Sequence, residues 1–317
     1  MEPKNIQFPI DDFEKLIINI GWDSLDEWLT FWDIDNNKIL KNEIIEYFNE
    51  DWIWGLALPL LSDAFKLKNS HKEKILIGIS ALPGTGKTTL GNWLERVSPL
   101  LGFNVSVISL DDFYLPALEM DKAIEGNPWN VPRGFPGSHS IDLLTEALTN
   151  WKSTGNLKSP VFDKSLRNGL GDRSYWKAAS PDILIIEGWF LGVEPLDTEE
   201  ITVEDIDPPL NSNEILYRRK IQNNLEMYKK SWDLIDRLWH LKPLKFSSTN
   251  SWKSQQENSM FINKGKALQN KQLDNFLRMI NSSLPHESFE DIPSDVLLIM
   301  NHERKLQWVG LSNKKNN

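Results

Sequence analysis

The chain has 317 residues, 40% hydrophobic and 25% charged, which allows one large domain or two modest ones around an ordinary globular core. Its formal charge of −10 argues against a nucleic-acid partner, because a phosphate backbone demands a basic face. The absence of cysteine excludes disulfides, thiolate metal sites, cysteine nucleophiles and thiol redox control.

No apolar run approaches the ~20 residues that cross a bilayer, so no membrane role is expected. The opening MEPKNIQFPIDDFEKL has neither a secretory pattern nor the Arg- and Ser-rich character of a transit peptide, and the expected location is cytoplasmic. Fourteen tryptophans would suit base stacking only with basic residues interleaved. Trp22, Trp28, Trp32, Trp54, Trp93 and Trp151 instead fall at helical apolar spacing, which predicts core packing.

Residues 1–70 read as a helical N-terminal extension: DDFEKLIINI, DSLDEWLTFW, ILKNEIIEYF and WGLALPLLSDAF each repeat apolar residues every three or four positions. From residue 71 to residue 317 the texture is that of a single α/β domain. The short runs ILIGIS (75–80), VSVIS (105–109), DILIIE (182–187), RLWHLKPLKF (237–246) and VLLIM (296–300) alternate with amphipathic stretches. Strands spaced so widely predict parallel pairing through crossover helices, hence a doubly wound, mostly parallel five-stranded sheet. VLLIM-NHERK-LQWVGL reads as a closing β-hairpin. Residues 193–213, with seven acids and no Lys or Arg, read as a solvated loop, and the Asn-, Ser- and Lys-rich stretch 247–271 as a mobile lid.

The strongest motif is Ala81-Leu-Pro-Gly-Thr-Gly-Lys-Thr-Thr89, directly after a buried strand and directly before Leu90, Trp93, Leu94 and Val97 at helical spacing. A triphosphate needs many N–H donors, so the backbone must wrap it closely. Gly84 and Gly86 permit that path, the helix N-terminus adds its positive end, and Lys87 neutralises the β- and γ-phosphates. Thr88 offers a hydroxyl to Mg²⁺, and Thr85 and Thr89 complete the ATP-binding set. Ala81 stands where the G-x-x-x-x-G-K-[ST] pattern begins with glycine. At Ser109-Leu-Asp-Asp-Phe-Tyr114 the acids follow a strand end, where doubly wound sheets bind ligands, and Asp111 or Asp112 could take the proton of a phosphoryl acceptor. In Ile183-Leu-Ile-Ile-Glu-Gly188 the strand ends on Glu187, placed to hold Mg²⁺ directly or through water.

Two further segments are polar, glycine-rich and basic: Arg133-Gly-Phe-Pro-Gly-Ser-His-Ser140 and Pro160-Val-Phe-Asp-Lys-Ser-Leu-Arg-Asn-Gly-Leu-Gly-Asp-Arg173, both within the acceptor-binding region 130–175. Lys164, Arg167 and Arg173 form a cationic group suited to a small anionic acceptor such as a carboxylate. His139 is the one histidine inside a motif. Asp33-Ile-Asp35-Asn-Asn37 starts like a Ca²⁺ loop, but Lys38 replaces the required Gly and Ile44 the bidentate Glu. Asn270-Lys-Gln-Leu273 has Leu where guanine recognition requires Asp, which argues against a GTPase.

These motifs, in this order, resemble the D-glycerate 3-kinases of the plant and cyanobacterial type, within the group that includes uridine kinase, phosphoribulokinase and bacterial pantothenate kinase. The resemblance spans roughly residues 73–312, and DKSLRNGLGDR followed by EGWFLG is its specific part. It implies ATP- and Mg²⁺-dependent phosphorylation of D-glycerate at the 3-hydroxyl, giving 3-phosphoglycerate as in photorespiratory salvage, with no obligate protein partner. It also implies Asp111 as the general base and Lys87 and Glu187 as its catalytic companions. Arg133, His139, Lys164, Arg167 and Arg173 then contact the acceptor. In the lid, Lys253 stands where relatives have arginine, with Lys264 and Lys266 nearby. Kinases for pantothenate, a nucleoside or a sugar phosphate, an ATPase without small acceptor, and a scaffold with a vestigial site are the alternatives.

Overall fold

A computed structural model describes residues 6–32, 43, 49–196, 206–265 and 267–312. The calcium-like stretch 33–44 and the helical stretch 39–48 lie outside the described residues except for Glu43, as do Lys266, the side chain of Lys264 and residues 197–205 of the acidic loop.

Among the described residues the opening helical segments are α1 (Ile10–Ile20), α2 (Leu25–Phe31) and α3 (Leu58–Ser70), the last continuing from Glu50–Trp52 through a π-helical Ile53–Ala57. Ser24 caps α2 by accepting from Glu27 N, and α1 stops at Gly21 in the left-handed conformation that ends helices at least steric cost. The strands are β1 (Ile75–Ala81), β2 (Val105–Ser109), β3 (Leu157–Asp163), β4 (Asp172–Ala179), β5 (Ile183–Gly188), β6 (Arg237–Pro243), β7 (Val296–Met300) and β8 (Leu306–Leu311). Between them run α4 (Lys87–Val97), α5 (Ala117–Ala123), α6 (Ile141–Thr154), α7 (Ser212–Leu225), α8 (Ser248–Lys264) and α9 (Lys271–Ser282).

The main sheet has the order β2-β5-β1-β6-β7-β8. Its first five strands are parallel, as the alternation with helices predicts, and β8 joins β7 antiparallel through the closing hairpin. The sheet therefore has six strands rather than five, the sixth being that hairpin partner. β1 and β5 are buried on both faces, as strands covered by helices on each side must be.

On one face Phe13, Trp28, Trp32 and Trp93 pack with Ile77, Ile79 and Trp239. On the other, Trp151, Phe190 and Tyr228 pack with Leu76, Leu184 and Ile186. The N-terminal helices thus share the core of the first face. Polar ties reinforce the contact: the indole N–H groups of Trp28 and Trp32 both donate to Ser62 Oγ at 2.8 Å. Asp63, 1% exposed, accepts from Arg237 Nε at 2.9 Å and Trp239 Nε1 at 2.8 Å on β6.

Two segments form regular elements that the sequence reading does not place. The basic turn-rich stretch 160–173 covers the end of β3, the connecting turn and the start of β4, an antiparallel two-stranded sheet apart from the main one. The stretch 247–271, read as mobile, forms the 17-residue helix α8 and the start of α9.

Candidate active site

The parallel register sets the site. Glu187 on β5 lies opposite Ile79 of β1 and Ser109 of β2, so the carboxyl ends of these strands bring three motifs to one edge of the sheet. β1 ends at Ala81, the chain turns through Gly84 (φ +78°) and Gly86 (φ +112°), and α4 starts at Lys87. No side chain caps the N-terminus of α4, which leaves its first N–H groups for an anion. Gly84 is required by a close approach as well as by its φ: a Cβ there would lie 2.6 Å from the Trp252 carbonyl carbon and 2.7 Å from Lys253 N. The N-terminal end of α8 thus rests on the phosphate loop, and Thr249 Oγ1 donates to Pro83 O at 3.1 Å.

Lys87 Nζ donates to Ala81 O at 2.6 Å and Leu82 O at 3.2 Å, and lies 3.8 Å from Glu187. Burial lowers the Lys87 pKa and raises that of Glu187, while each charge opposes the shift of the other. Thr88 and Thr89 are exposed on the first turn of α4. Thr85 is buried, with its hydroxyl donating to Leu82 O at 2.6 Å, so its side chain braces the loop from within.

The two adjacent acids of the second motif diverge. Asp112 accepts from Ser109 N and, across to β3, from Phe162 N, both at 3.4 Å; it caps the 3₁₀ turn Leu110–Phe113. Asp111 faces the site: its Oδ2 accepts from Lys164 Nζ at 2.6 Å and its Oδ1 from the Tyr114 hydroxyl at 2.8 Å. Burial alone would raise the Asp111 pKa, but the charge and hydrogen bond of Lys164 outweigh it and hold the carboxyl well below the usual carboxylate range. His139 stacks on Tyr114 with ring centroids 4.5 Å apart. Its Nδ1 lies 2.8 Å from the Tyr228 hydroxyl, and its buried Nε2 has no hydrogen-bond partner among the described residues. Burial pushes its pKa down to about 3, so the ring is neutral near pH 7.

The other basic residues separate. Arg133 donates to Gly169 O at 3.1 Å and Leu170 O at 2.6 Å, holding the β3–β4 turn, and acts electrostatically on Tyr114 and Lys164. Arg167 turns away to Asp121 of α5 at 2.8 Å, where the chain takes positive φ at Arg167 and Asn168. Arg173 Nε donates to Tyr114 O at 3.0 Å, supporting the motif from behind, and its buried Nη2 has no hydrogen-bond partner among the described residues. Lys253 on α8 pairs with Glu257 at 2.5 Å and lies within electrostatic range of Lys87, Lys164 and Asp111.

Lys87, Asp111, Lys164 and Glu187 therefore converge, with Lys253, Arg133, Tyr114 and His139 around them. Tyr114 lies inside the second motif; Tyr228 lies inside NLEMYKKSWDLID, a stretch that also resembles the family, but its part in the site shows only in its distance in space to His139. Thr88 and Glu187 supply hard oxygen donors of the kind Mg²⁺ prefers. Among the described residues no cluster of three or more His, Cys, Asp or Glu could hold a metal by itself.

No family model matches the chain. The kinase mug58 of Schizosaccharomyces pombe, itself named uncharacterized, is 30% identical over 227 residues, which cover 68% of this chain and 80% of that protein. The chloroplastic D-glycerate 3-kinase of Arabidopsis thaliana is 30% identical over 238 residues, 68% of this chain but only half of that longer protein. The solved D-glycerate 3-kinase of Cryptococcus neoformans superimposes with a TM-score of 0.70 at 25% identity, covering 81% of this chain and 99% of that one.

Proposed function

The chain belongs to the P-loop kinase family that contains the fission-yeast kinase and the D-glycerate 3-kinases, and on that premise we propose that it transfers the γ-phosphoryl group of ATP to the 3-hydroxyl of D-glycerate. The products are 3-phosphoglycerate and ADP. The observation that carries this reading is the pairing of Lys164 with Asp111 at 2.6 Å, which sets an anion-binding cation beside a base.

The phosphates of ATP lie along Gly84–Thr89, on the backbone N–H groups of the loop and the first turn of α4, with Lys87 compensating their charge. Thr88 and Glu187 would hold Mg²⁺, which when bound neutralises charge on the transferring group. The carboxylate of D-glycerate takes Lys164, and His139 Nε2, neutral and unpartnered, offers a hydrogen bond to one of its oxygens or hydroxyls. Once Lys164 turns to the acceptor, Asp111 loses its strongest counter-charge and becomes more basic. It then accepts the hydroxyl proton as the oxygen attacks phosphorus and the bond to the β–γ bridging oxygen breaks. Arg133 and Arg173 hold the β3–β4 turn and Tyr114 in place, and Arg167, paired with Asp121, supports α5 instead. The helix α8 serves as the lid, with Lys253 aimed at the phosphates.

The deciding experiment is a coupled assay of ADP release with D-glycerate, pantothenate, uridine and ribulose 5-phosphate offered side by side, the phosphorylated position being read by NMR. Turnover on D-glycerate at the 3-position is expected. Faster turnover on any of the other three would transfer the same machinery to that acceptor.

A further inference from the structure

Away from the acid–base pair, the turn between β7 and β8 carries an arginine in an uncommon backbone conformation. Arg304 has φ +63°, a left-handed value that non-glycine residues seldom adopt without compensation. Its guanidinium reaches two other elements. Nε donates to Gly84 O in the phosphate loop at 3.0 Å, and Nη1 donates to Gln255 Oε1 on α8 at 2.8 Å. A longer contact from Nη2 meets Trp252 O at 3.4 Å, and the cation lies 5.4 Å from the centre of the Trp252 ring. One side chain from near the end of the chain thus ties the phosphate loop to the lid helix.

The same turn is held from the N-terminal side. Trp52, 6% exposed, donates its indole N–H to Arg304 O at 2.7 Å. The edge of its ring lies 3.2 Å from the position of a Cβ on Gly86, so this residue of the extension also touches the loop directly.

We propose that Arg304, seated by Trp52, is a positioning residue for the nucleotide, and that through this pair the N-terminal extension sets nucleotide affinity. The physical reason is preorganisation. A loop with glycines at two left-handed positions has wide conformational freedom, and closing it on a phosphate chain costs entropy. Arg304 fixes the peptide plane at Gly84 before any ligand arrives and sets α8 against it. Trp52 fixes the turn from which Arg304 reaches. The inference rests on the reading that nucleotide binds at this loop, but not on the identity of the acceptor.

The test is ADP binding by isothermal titration calorimetry on the full chain, with thermal melts run alongside. Arg304→Ala removes a charged hydrogen bond to the loop and is expected to weaken ADP about tenfold. Trp52→Phe keeps most of the ring and removes the N–H donor, and is expected to weaken ADP by roughly three- to tenfold. The double variant should be no weaker than Arg304→Ala alone to within about twofold, because the two act in one chain of contacts. Arg304→Lys, which keeps the charge without the fork, should fall between Arg304→Ala and the wild type. Should Arg304→Ala fail to fold, Arg304→Lys and Trp52→Phe carry the test. In steady state, KM for ATP should rise in step with the ADP dissociation constant and KM for the acceptor should rise less. Variants that melt earlier yet bind ADP as tightly as wild type would overturn the proposal, as would fully additive losses in the double variant. Wild-type protein that bound no ADP would overturn the reading of the loop as well.

Discussion

Replacing Lys164 by methionine keeps the length of the side chain and removes its charge, and three consequences can be worked from the site. The first concerns stability. The ion pair with Asp111 is short at 2.6 Å, but the lysine side chain is 57% exposed and the aspartate 32%, so solvent screens it. Its loss should cost about 1 kcal/mol, which for a chain of this size lowers Tm by roughly 2–4 °C. The second concerns the acceptor. A lysine–carboxylate hydrogen bond in a closed site contributes about 1.5–3 kcal/mol, so KM for D-glycerate should rise by roughly ten- to a hundredfold, with ADP affinity little changed.

The third consequence is in pH. Asp111 in the wild type has its carboxyl held below the unperturbed 3.8, so the pair stabilises the fold above that value and the contribution fades only as pH falls through the depressed one. In the variant, burial acts unopposed by Lys164 and the carboxyl moves upward. The acid limb of kcat/KM, which reports the free enzyme, should then move to higher pH, and the Tm deficit should shrink as the solution is acidified. Profiles of kcat and kcat/KM against pH, with melts at matched pH, measure all three. A variant with wild-type KM for D-glycerate and an unmoved acid limb would refute both the acceptor contact and the control of Asp111 by Lys164.

Asp111→Asn keeps the shape and the acceptor oxygen for Tyr114 but cannot take a proton, and kcat should fall by about 10²–10⁴ with ADP binding retained; a folded variant with near-normal turnover removes Asp111 from the base role. Gly84→Ala places a Cβ against the backbone of Trp252 and Lys253 at a φ of +78°, so α8 must shift, and kcat/KM for ATP should fall at least about tenfold. Equal kinetics for that variant would show that the packing of α8 on the loop is dispensable. Trp28→Ala empties a fully buried site that packs against Phe13 and Trp54 and removes a donor to Ser62. A loss of about 3–5 kcal/mol is expected by chemical denaturation, and a midpoint equal to wild type would mean that the N-terminal helices are not part of the core.

The parts of this site that could be read in the sequence share one property: each is local. ILIGIS, the glycine loop and the helix after it form one continuous strand–turn–helix, so apolar period and glycine position suffice to place Lys87 and Thr88. The same holds for Glu187 at the end of a four-residue apolar run and for Asp111 after VSVIS. The β3–β4 hairpin escaped because its signal is weak: Pro160 interrupts the first strand, and the outer one is exposed along most of its length, with no alternation of apolar and polar residues. Lys164 and Arg167 are three positions apart in one basic run, yet only backbone dihedrals near +55° at Arg167 and Asn168 decide which cation enters the site. Arg304 and Trp52 meet across 252 positions, and nothing in the turn Asn301-His-Glu-Arg-Lys305 marks its arginine from any other solvated charge.

The ion pairs also suggest where selectivity would arise. Lys87 faces Glu187, Lys164 faces Asp111 and Lys253 faces Glu257, so every lysine of the group already has a carboxylate. Phosphates can draw Lys87 and Lys253 away without touching Asp111. Only an acceptor that brings its own anion can draw away Lys164. A neutral polyol such as glycerol could occupy the same space and present the same hydroxyl, but it would leave Lys164 on Asp111 and the base weak. Discrimination against it should therefore appear in kcat and not only in KM, since saturating the site with glycerol does not supply the missing charge. Lys164→Met removes the competing cation along with the acceptor's anchor, so in that background the gap in kcat between D-glycerate and glycerol should narrow. If the gap stays as wide, the carboxylate acts by positioning the hydroxyl and not by releasing the base.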